Sequence, residues 1–310
     1  MTTIIRYPQQ PITSLQTGCV ASIGKFDALH LGHQAMLQQL TESSSSFGLP
    51  AVVIIFEPYP IEFFKGDDAP PRLTELRDKY QYLSQLGVDY LVLLRFDQSM
   101  ADMSPEAFVK RYLQHMMFVK KLLVGQDFRF GHRRMGDVDQ LKQLLTYQAQ
   151  VEVANDYQVG GMKVSSSLIR DLLKQTQVSL AKHYLGQSYT VTSRVIHGEK
   201  RGRTINFPTI NLPLKRRLAL KYGVYAVQVA GLATDWLDGV ASVGVRPVVQ
   251  GKRPLLEVYL FDFDQDVYGH LVTVRFIEFI RPEWNFEGLE PLKEQISRDV
   301  MQAQVILQNS

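Results

Sequence analysis

The chain has 310 residues, of which 45% are hydrophobic and 21% charged, with a formal net charge of +3 and a single cysteine, Cys19. That length can bury two domain cores, the lone cysteine excludes an intramolecular disulfide framework and fits a reducing compartment, and no uncharged apolar run reaches the ~18 residues of a membrane helix. The basic clusters His132 to Arg134, Lys200 to Arg203 and Lys215 to Arg217 are short and scattered, which argues against DNA or RNA and suits small anionic ligands; with no charged-then-apolar leader, the cytoplasm is the expected compartment.

The first apolar run, CVASIG (Cys19 to Gly24), reads as a strand, and LHLGHQAMLQQL reads as a helix starting at or just before His30, with Leu29, Met36, Leu37 and Leu40 toward the core. The junction GKFDALHLGH therefore puts free N–H groups and a positive dipole end beside Gly24 and Gly32, which suits an anion held close to the backbone. His30 and His33, three apart, share one face of the first turn, where imidazole N–H groups can donate to phosphate oxygens and to charge developing at phosphorus. A metal site or plain packing remains open for two histidines at this spacing.

Ser43 to Ser46 reads as a short surface loop. Next come AVVIIF (Ala51 to Phe56), the helical TELRDKYQYLSQL, DYLVLL (Asp89 to Leu94), and a helix opening at Ser104-Pro105-Glu106, a cap followed by proline at the first helical position. KKLLVG (Lys120 to Gly125), the helix GDVDQLKQLL and the strand QVEVAND complete five near-continuous apolar strands alternating with amphipathic helices. This pattern belongs to a parallel sheet covered on both faces, with ligands beyond the carboxyl ends of its strands. Gly24 to His33 and Gly125 to Gly131 both leave strands at that end. In KVSSSLIRDLL, Ser165, Ser166 and Ser167 open a helix with Arg170 about a turn later, either a serine cap or a triphosphate grip. GQDFRFGHRRMGD, with turn glycines, two phenylalanines and basic groups, suits a loop over an aromatic ligand, or a packed surface loop.

Near Gln187 the period changes. YTVTSRVI, YAVQVA, GVASVGV, LLEVYLF and LVTVRFIEFI predict an antiparallel barrel or sandwich, and Glu287 to Gln308 reads as a helix with Leu289, Leu292, Ile296 and Val300 at helical spacing. The division expected is 1–186 and 187–310. In Pro208-Thr209-Ile210-Asn211, Thr209 and Asn211 point to one side of an extended segment and offer neutral oxygen ligands to a magnesium ion carrying ATP phosphates. Glu257, on an otherwise apolar strand, is placed to accept a proton from an alcohol. A Thr/Asn turn and a surface glutamate are the plain alternatives.

In order, GKFDALHLGH, FEPYP, RLTELRDKYQYLSQLGVD, SPEAFV, VGQDFRFGHRRMGD, VSSSLIRDLL, HGEKRGRTINFPTIN, GVASVGVRP, LEVYLFDF with YGH, and RPEWNF followed by LKEQISRD resemble the bacterial bifunctional riboflavin kinase/FAD synthetase family from about Thr17 to Gln304. The resemblance implies a Rossmann-like nucleotidyltransferase domain that adenylylates FMN to FAD. A six-stranded antiparallel barrel with a C-terminal helix then phosphorylates riboflavin, with Mg2+ as cofactor and riboflavin, FMN and ATP as partners. By position it implies that His30 and His33 act on ATP phosphates, with Gly24, Phe26, Asp27 and Gly32 beside them, and that Ser166, Ser167 and Arg170 grip pyrophosphate. Asp127, Phe128 and Arg129 serve flavin and adenosine, Arg281 and Phe286 bind flavin, Gly198, Lys200, Gly202 and Arg203 cover the kinase phosphates, Thr209 and Asn211 hold Mg-ATP, and Glu257 is the base.

The chain departs from the family pattern at five places. Ala28 and Asn206 stand where glycines are usual, Tyr59 where histidine is common, Ser242 for an asparagine and Val248 for a threonine. Those at Asn206 and Ser242 support a flavin-binding protein with an impaired kinase half as the alternative. A class I aminoacyl-tRNA synthetase also carries His-Leu-Gly-His, but no lysine-rich KMSKS-type loop follows the sheet.

Overall fold

The computed structural model describes residues 1–198, 206–214, 216–248 and 251–309. The apolar runs of the first half form one all-parallel sheet of β1 (Thr3–Arg6), β2 (Cys19–Ile23), β3 (Ala51–Glu57), β4 (Tyr90–Arg95), β5 (Val119–Gly125) and β6 (Gln150–Ala154), in the order β1-β4-β3-β2-β5-β6. All five residues of β2 are buried because alternate side chains enter two different layers. Val20, Val53, Ile55 and Leu123 meet α1 (Leu31–Phe47) and α3 (Leu76–Gln85), the latter reached through the short α2 (Pro60–Lys65). Cys19, Ala21, Ile54 and Leu122 face the opposite layer, which comprises α4 (Gln98–Ala101), α5 (Pro105–Phe108) with its π-helical continuation Val109–Met116, and α6 (Val138–Leu145).

Strand order reverses at β2, with β3 and β4 on one side of it and β5 and β6 on the other. The loops leaving β2 and β5 therefore flank a topological switch point, the place where open parallel sheets bind ligands.

Three local readings are corrected. Thr3–Arg6 adds a sixth strand on the edge, pairing with β4, and four residues are too few to display a period. Ser43 to Ser46 is not a loop. These residues continue α1, Ser45 and Ser46 return their hydroxyls to the carbonyls of Thr41 and Glu42, and the helix ends only at Gly48, whose φ of 61° supplies the left-handed C-cap. A small hairpin, β7 (Gln158–Val159) and β8 (Met162–Lys163), precedes α7 (Ser166–Lys174) and α8 (Val178–Leu185).

The second half forms β9 (Thr190–Arg194), β10 (Thr209–Pro213), β11 (Gly223–Ala230), β12 (Leu237–Val248), β13 (Gly251–Leu260) and β14 (Leu271–Arg281), an antiparallel sheet in the order β10-β13-β12-β11-β14-β9. The end strands approach through the Ile196–Asn211 bridge and a 2.8 Å bond from the Ser193 hydroxyl to the Pro213 carbonyl, so the barrel is nearly closed. Its interior holds Tyr225, Val227, Leu256, Val258 and Phe276. The outer face of β11 and β12 is covered by α9 (Leu289–Gln308), but the covering residues are Asp299, Ala303 and Leu307, with Val300 and Ile306 half-buried; Leu289 is 63% exposed. Leu289 lies about five helical turns from buried Leu307, on the same face, and is exposed because it is the first residue of the helix.

The chain packs as two compact units, Met1–Pro70 with Thr74–Val164, and Pro71–Leu73 with Ser165–Ser310.

Candidate functional sites

Helix α1 begins one residue after His30, which is its N-cap. His30 Nδ1 accepts a 3.3 Å hydrogen bond from the His33 N–H, so that nitrogen is unprotonated and the ring proton sits on Nε2. The two imidazoles stack with centroids 3.7 Å apart and planes 16° from parallel. Burial pushes His30 down to about 4, partly opposed by the Asp27 carboxylate. His33 is held well below the usual histidine range by burial first, then by His30 and the Lys79 charge. Both rings are therefore neutral N–H donors near pH 7. Among the described residues, His33 Nδ1 is the one buried side-chain nitrogen or oxygen with no hydrogen-bond partner. A polar group reaching this site can pair with that nitrogen.

The loop that presents the pair is unusually tight. Phe26, Ala28 and Leu29 have φ of 47°, 79° and 49°, all left-handed. Phe26 is fully buried, its ring 5.3 Å from that of His33, and fills the space above Gly24, where a Cβ would lie 3.2 Å from it. The Asp27 carboxylate accepts from Thr74 N at 3.0 Å, and Ala28 N donates to the Thr74 hydroxyl at 2.9 Å. A Cβ on Gly32 would meet Tyr157 and the His30 ring at 3.2 and 3.3 Å, so this glycine first of all permits the ring to fold over the helix start.

Across the switch point, the loop after β5 is pinned by paired Phe130 and Gly136 backbone bonds of 3.0 and 2.9 Å. Phe128 stacks on Phe130 at 5.5 Å, Asp127 is exposed and pairs with Lys163 at 2.7 Å, and Arg129 lies 3.9 Å from Asp137. Sequence reasoning missed the aromatic chain behind this loop. Phe130 meets Phe108, Phe108 meets Phe56, Phe56 meets Phe96, and Phe96 meets Phe63 and Phe64, which are 37% and 67% exposed. The Phe63-Phe64 pair was the available signal.

In the second unit, the Ser165 hydroxyl caps α7 by accepting from Leu168 N at 3.2 Å. Ser166 and Ser167 occupy the first turn, and Arg170 donates its Nε to the Pro71 carbonyl at 2.8 Å.

On the barrel, Asn211, Glu257 and Ser242 lie directly opposite one another across β10, β13 and β12. Leu256 and Val258 point inward, so this row faces outward, and Thr209 joins it from the same face of β10 opposite Tyr259. Asn211 is nevertheless buried, because Gly198 lies on its amide; a Cβ on Gly198 would fall 2.3 Å from Asn211 Nδ2. Lys200, Gly202 and Arg203 lie outside the described residues. Beside the row, Asn206, Thr209, Ile210, Leu260, Phe263 and Tyr268 line a cavity of about 480 Å³, and His197 packs on Tyr268 at 3.7 Å. Asn206 has a φ of 64°, a conformation that asparagine tolerates better than other side chains. Arg281 is 10% exposed and is forked onto Asp299 at 2.8 and 2.7 Å; its guanidinium lies 4.8 Å from the Trp284 ring and 5.7 Å from that of Phe286.

With these geometries in place, comparison with known proteins is decisive. The FAD synthetase family model matches residues 12–168 and the riboflavin kinase model residues 185–307. The chain belongs to the bifunctional riboflavin kinase/FMN adenylyltransferase family. It is 43% identical to the protein of that name from Escherichia coli (strain K12) over 289 residues, 93% of this chain and 92% of that protein. It is 40% identical to the one from Haemophilus influenzae over 284 residues, covering 91% and 92% respectively. The one from Pseudomonas fluorescens is 41% identical over 291 residues, 93% of each chain. A crystal structure described as a macrolide-efflux protein from Streptococcus pneumoniae is 28% identical, with a TM-score of 0.82 over 96% of this chain and 97% of that one. Among the described residues no helix is long and apolar enough to cross a membrane. The histidine pair falls within the residues matched by the FAD synthetase model, and the barrel row within those matched by the riboflavin kinase model.

Proposed function

We propose that the two activities of this riboflavin kinase and FMN adenylyltransferase run in two separate sites, with the functional boundary at 186/187, although the compact units themselves divide at Val164/Ser165. The observation that carries the two-site reading is that the stacked histidines and the Thr209–Asn211–Glu257 row belong to different compact units, each with its own fold.

In the kinase half, the Glu257 carboxylate orients the riboflavin 5'-hydroxyl and accepts its proton as the oxygen attacks the γ-phosphorus of ATP, giving FMN and ADP. The hydroxyl of Thr209 and the amide oxygen of Asn211 are neutral, hard donors sharing one face of β10. They are the residues to hold Mg2+, which neutralises phosphate charge when bound. The cavity beside Thr209 takes the nucleoside end of ATP, and Arg281, Trp284 and Phe286 form the flavin side.

In the other half, an FMN phosphate oxygen attacks the α-phosphorus of a second ATP and pyrophosphate leaves. His30 donates through Nε2, and the partnerless Nδ1 of His33 marks the second point of contact with the phosphates. Gly24, Phe26, Asp27 and Gly32 shape the loop and serve as its ATP-binding residues, and Asp127, Phe128 and Arg129 attend the flavin and adenosine. The family resemblance assigns pyrophosphate to Ser166, Ser167 and Arg170, which lie on α7 in the second unit. Positioning and preorganised donors supply the acceleration, and no covalent intermediate is needed.

Chromatography of flavins after incubation with MgATP tests the reading. Riboflavin should yield FMN and then FAD, and FMN alone should yield FAD. FAD from FMN with nothing from riboflavin would mean a disabled kinase half.

A further inference from the structure

Lys79 lies mid-way along α3 and is 1% exposed, one of the largest fully buried side chains of the protein. Burying an ammonium is costly unless polar partners replace its water. Its Nζ donates to the Lys25 carbonyl at 2.7 Å and to the Tyr59 hydroxyl, lies 5.0 Å from the Tyr59 ring centroid, and the same hydroxyl donates to the Lys25 carbonyl at 3.3 Å. One ammonium thus ties together the loop after β2, the segment between β3 and α2, and α3.

The tied loop is the one that needs support. Lys25 immediately precedes the run containing the left-handed Phe26, Ala28 and Leu29, conformations that local sterics disfavour for residues other than glycine. Thr74, just ahead of α3, grips the middle of that run at Asp27 and Ala28. The region of α3 therefore holds the histidine-bearing loop at two points, and Lys79 brings a positive charge close to His33. Tyr59, where the family commonly has histidine, is the aromatic partner that completes the link.

Resting on the adenylylation reading above, we propose that Lys79 is a positioning residue for FMN adenylylation. Through the Lys25 carbonyl and the Tyr59 hydroxyl it holds the Gly24 to His30 loop in the shape that receives the ATP triphosphate.

The test uses the full-length protein, with both reactions assayed in each variant. Lys79→Met should lower kcat for FAD formation by about 100-fold and raise the KM for ATP by about 10-fold, leaving the KM for FMN and the riboflavin kinase rate within about twofold. A merely structural defect would instead lower the active fraction and leave both KM values alone, and that result overturns the proposal. If Lys79→Met loses both reactions, Tyr59→Phe and Tyr59→His decide. Removing the hydroxyl should cut kcat/KM for ATP by about 10-fold in adenylylation only, with partial recovery in Tyr59→His; an unchanged value in Tyr59→Phe overturns the proposal. His33→Ala serves as the reference. If it loses FAD formation while Lys79→Met keeps it, only the role of Lys79 falls; if His33→Ala itself keeps FAD formation, the site reading falls and this inference with it.

Discussion

His30 couples protonation to stability. Its ordinary value of 6.5 is brought to about 4 in the folded protein by burial. Between those values the unfolded chain binds a proton that the folded chain does not, so stability is full above pH 6.5 and falls as the pH drops toward 4. The effect amounts to at most about 3 kcal/mol. Urea midpoints measured from pH 4 to 7 should therefore slope upward, and His30→Asn should flatten the slope; an equal slope in the variant would refute this coupling. Ala28 makes a second residue-scale prediction. An L side chain at φ 79° costs about 1 kcal/mol or more, so Ala28→Gly should raise the unfolding free energy by up to about 1 kcal/mol after the glycine entropy cost, and a lowered urea midpoint would count against it. Both departures from the usual family glycines, Ala28 and Asn206, fall at left-handed positions, and only the asparagine is a residue type suited to one.

At the scale of elements, the attachment of α9 to the barrel rests on one polar pair set among apolar contacts. Asp299 is 3% exposed and is bonded by Arg281 through two nitrogens and by Gln295 at 2.9 Å. Removing one partner leaves a buried charge without its counterpart, so Asp299→Ala should cost about 3 kcal/mol in urea unfolding, and a loss under about 1 kcal/mol would show that the pair is dispensable. The helical period of this segment was legible from Leu292, Ile296 and Val300, which share the stripe of Ala303 and Leu307, but the aspartate buried within that stripe was not. Periodicity counts apolar residues and is blind to an aspartate buried because an arginine on β14 meets it. The same limit hid the helical state of Ser43 to Ser46, whose hydroxyls satisfy helix carbonyls instead of breaking the helix.

For the whole molecule, the two-site proposal predicts that the two chemistries are separable by mutation. His33→Ala should reduce FAD formation by about 100-fold and leave FMN formation nearly untouched, while Asn211→Ala should do the reverse. Flavin chromatography on folded variants distinguishes these, and the loss of both reactions in either variant would overturn the two-site assignment. The parallel sheet and the barrel were legible because their strands differ in kind. Strands buried on both faces, such as Val52 to Ile55, are continuously apolar, whereas barrel strands such as β14 alternate.

The sequence by itself determined the order of elements, the change of architecture near Gln187 and the placement of two histidines at a strand-to-helix junction, because period, caps and glycines act over a few residues. Only the tertiary structure decided that β2 and β5 are neighbours, that His33 Nδ1 is left without a partner, that Asn211, Glu257 and Ser242 form one row, and that Lys79 is buried beneath the loop. Those facts depend on strand order, register and the packing of segments tens of residues apart, and no local pattern encodes which distant carbonyl a lysine will find.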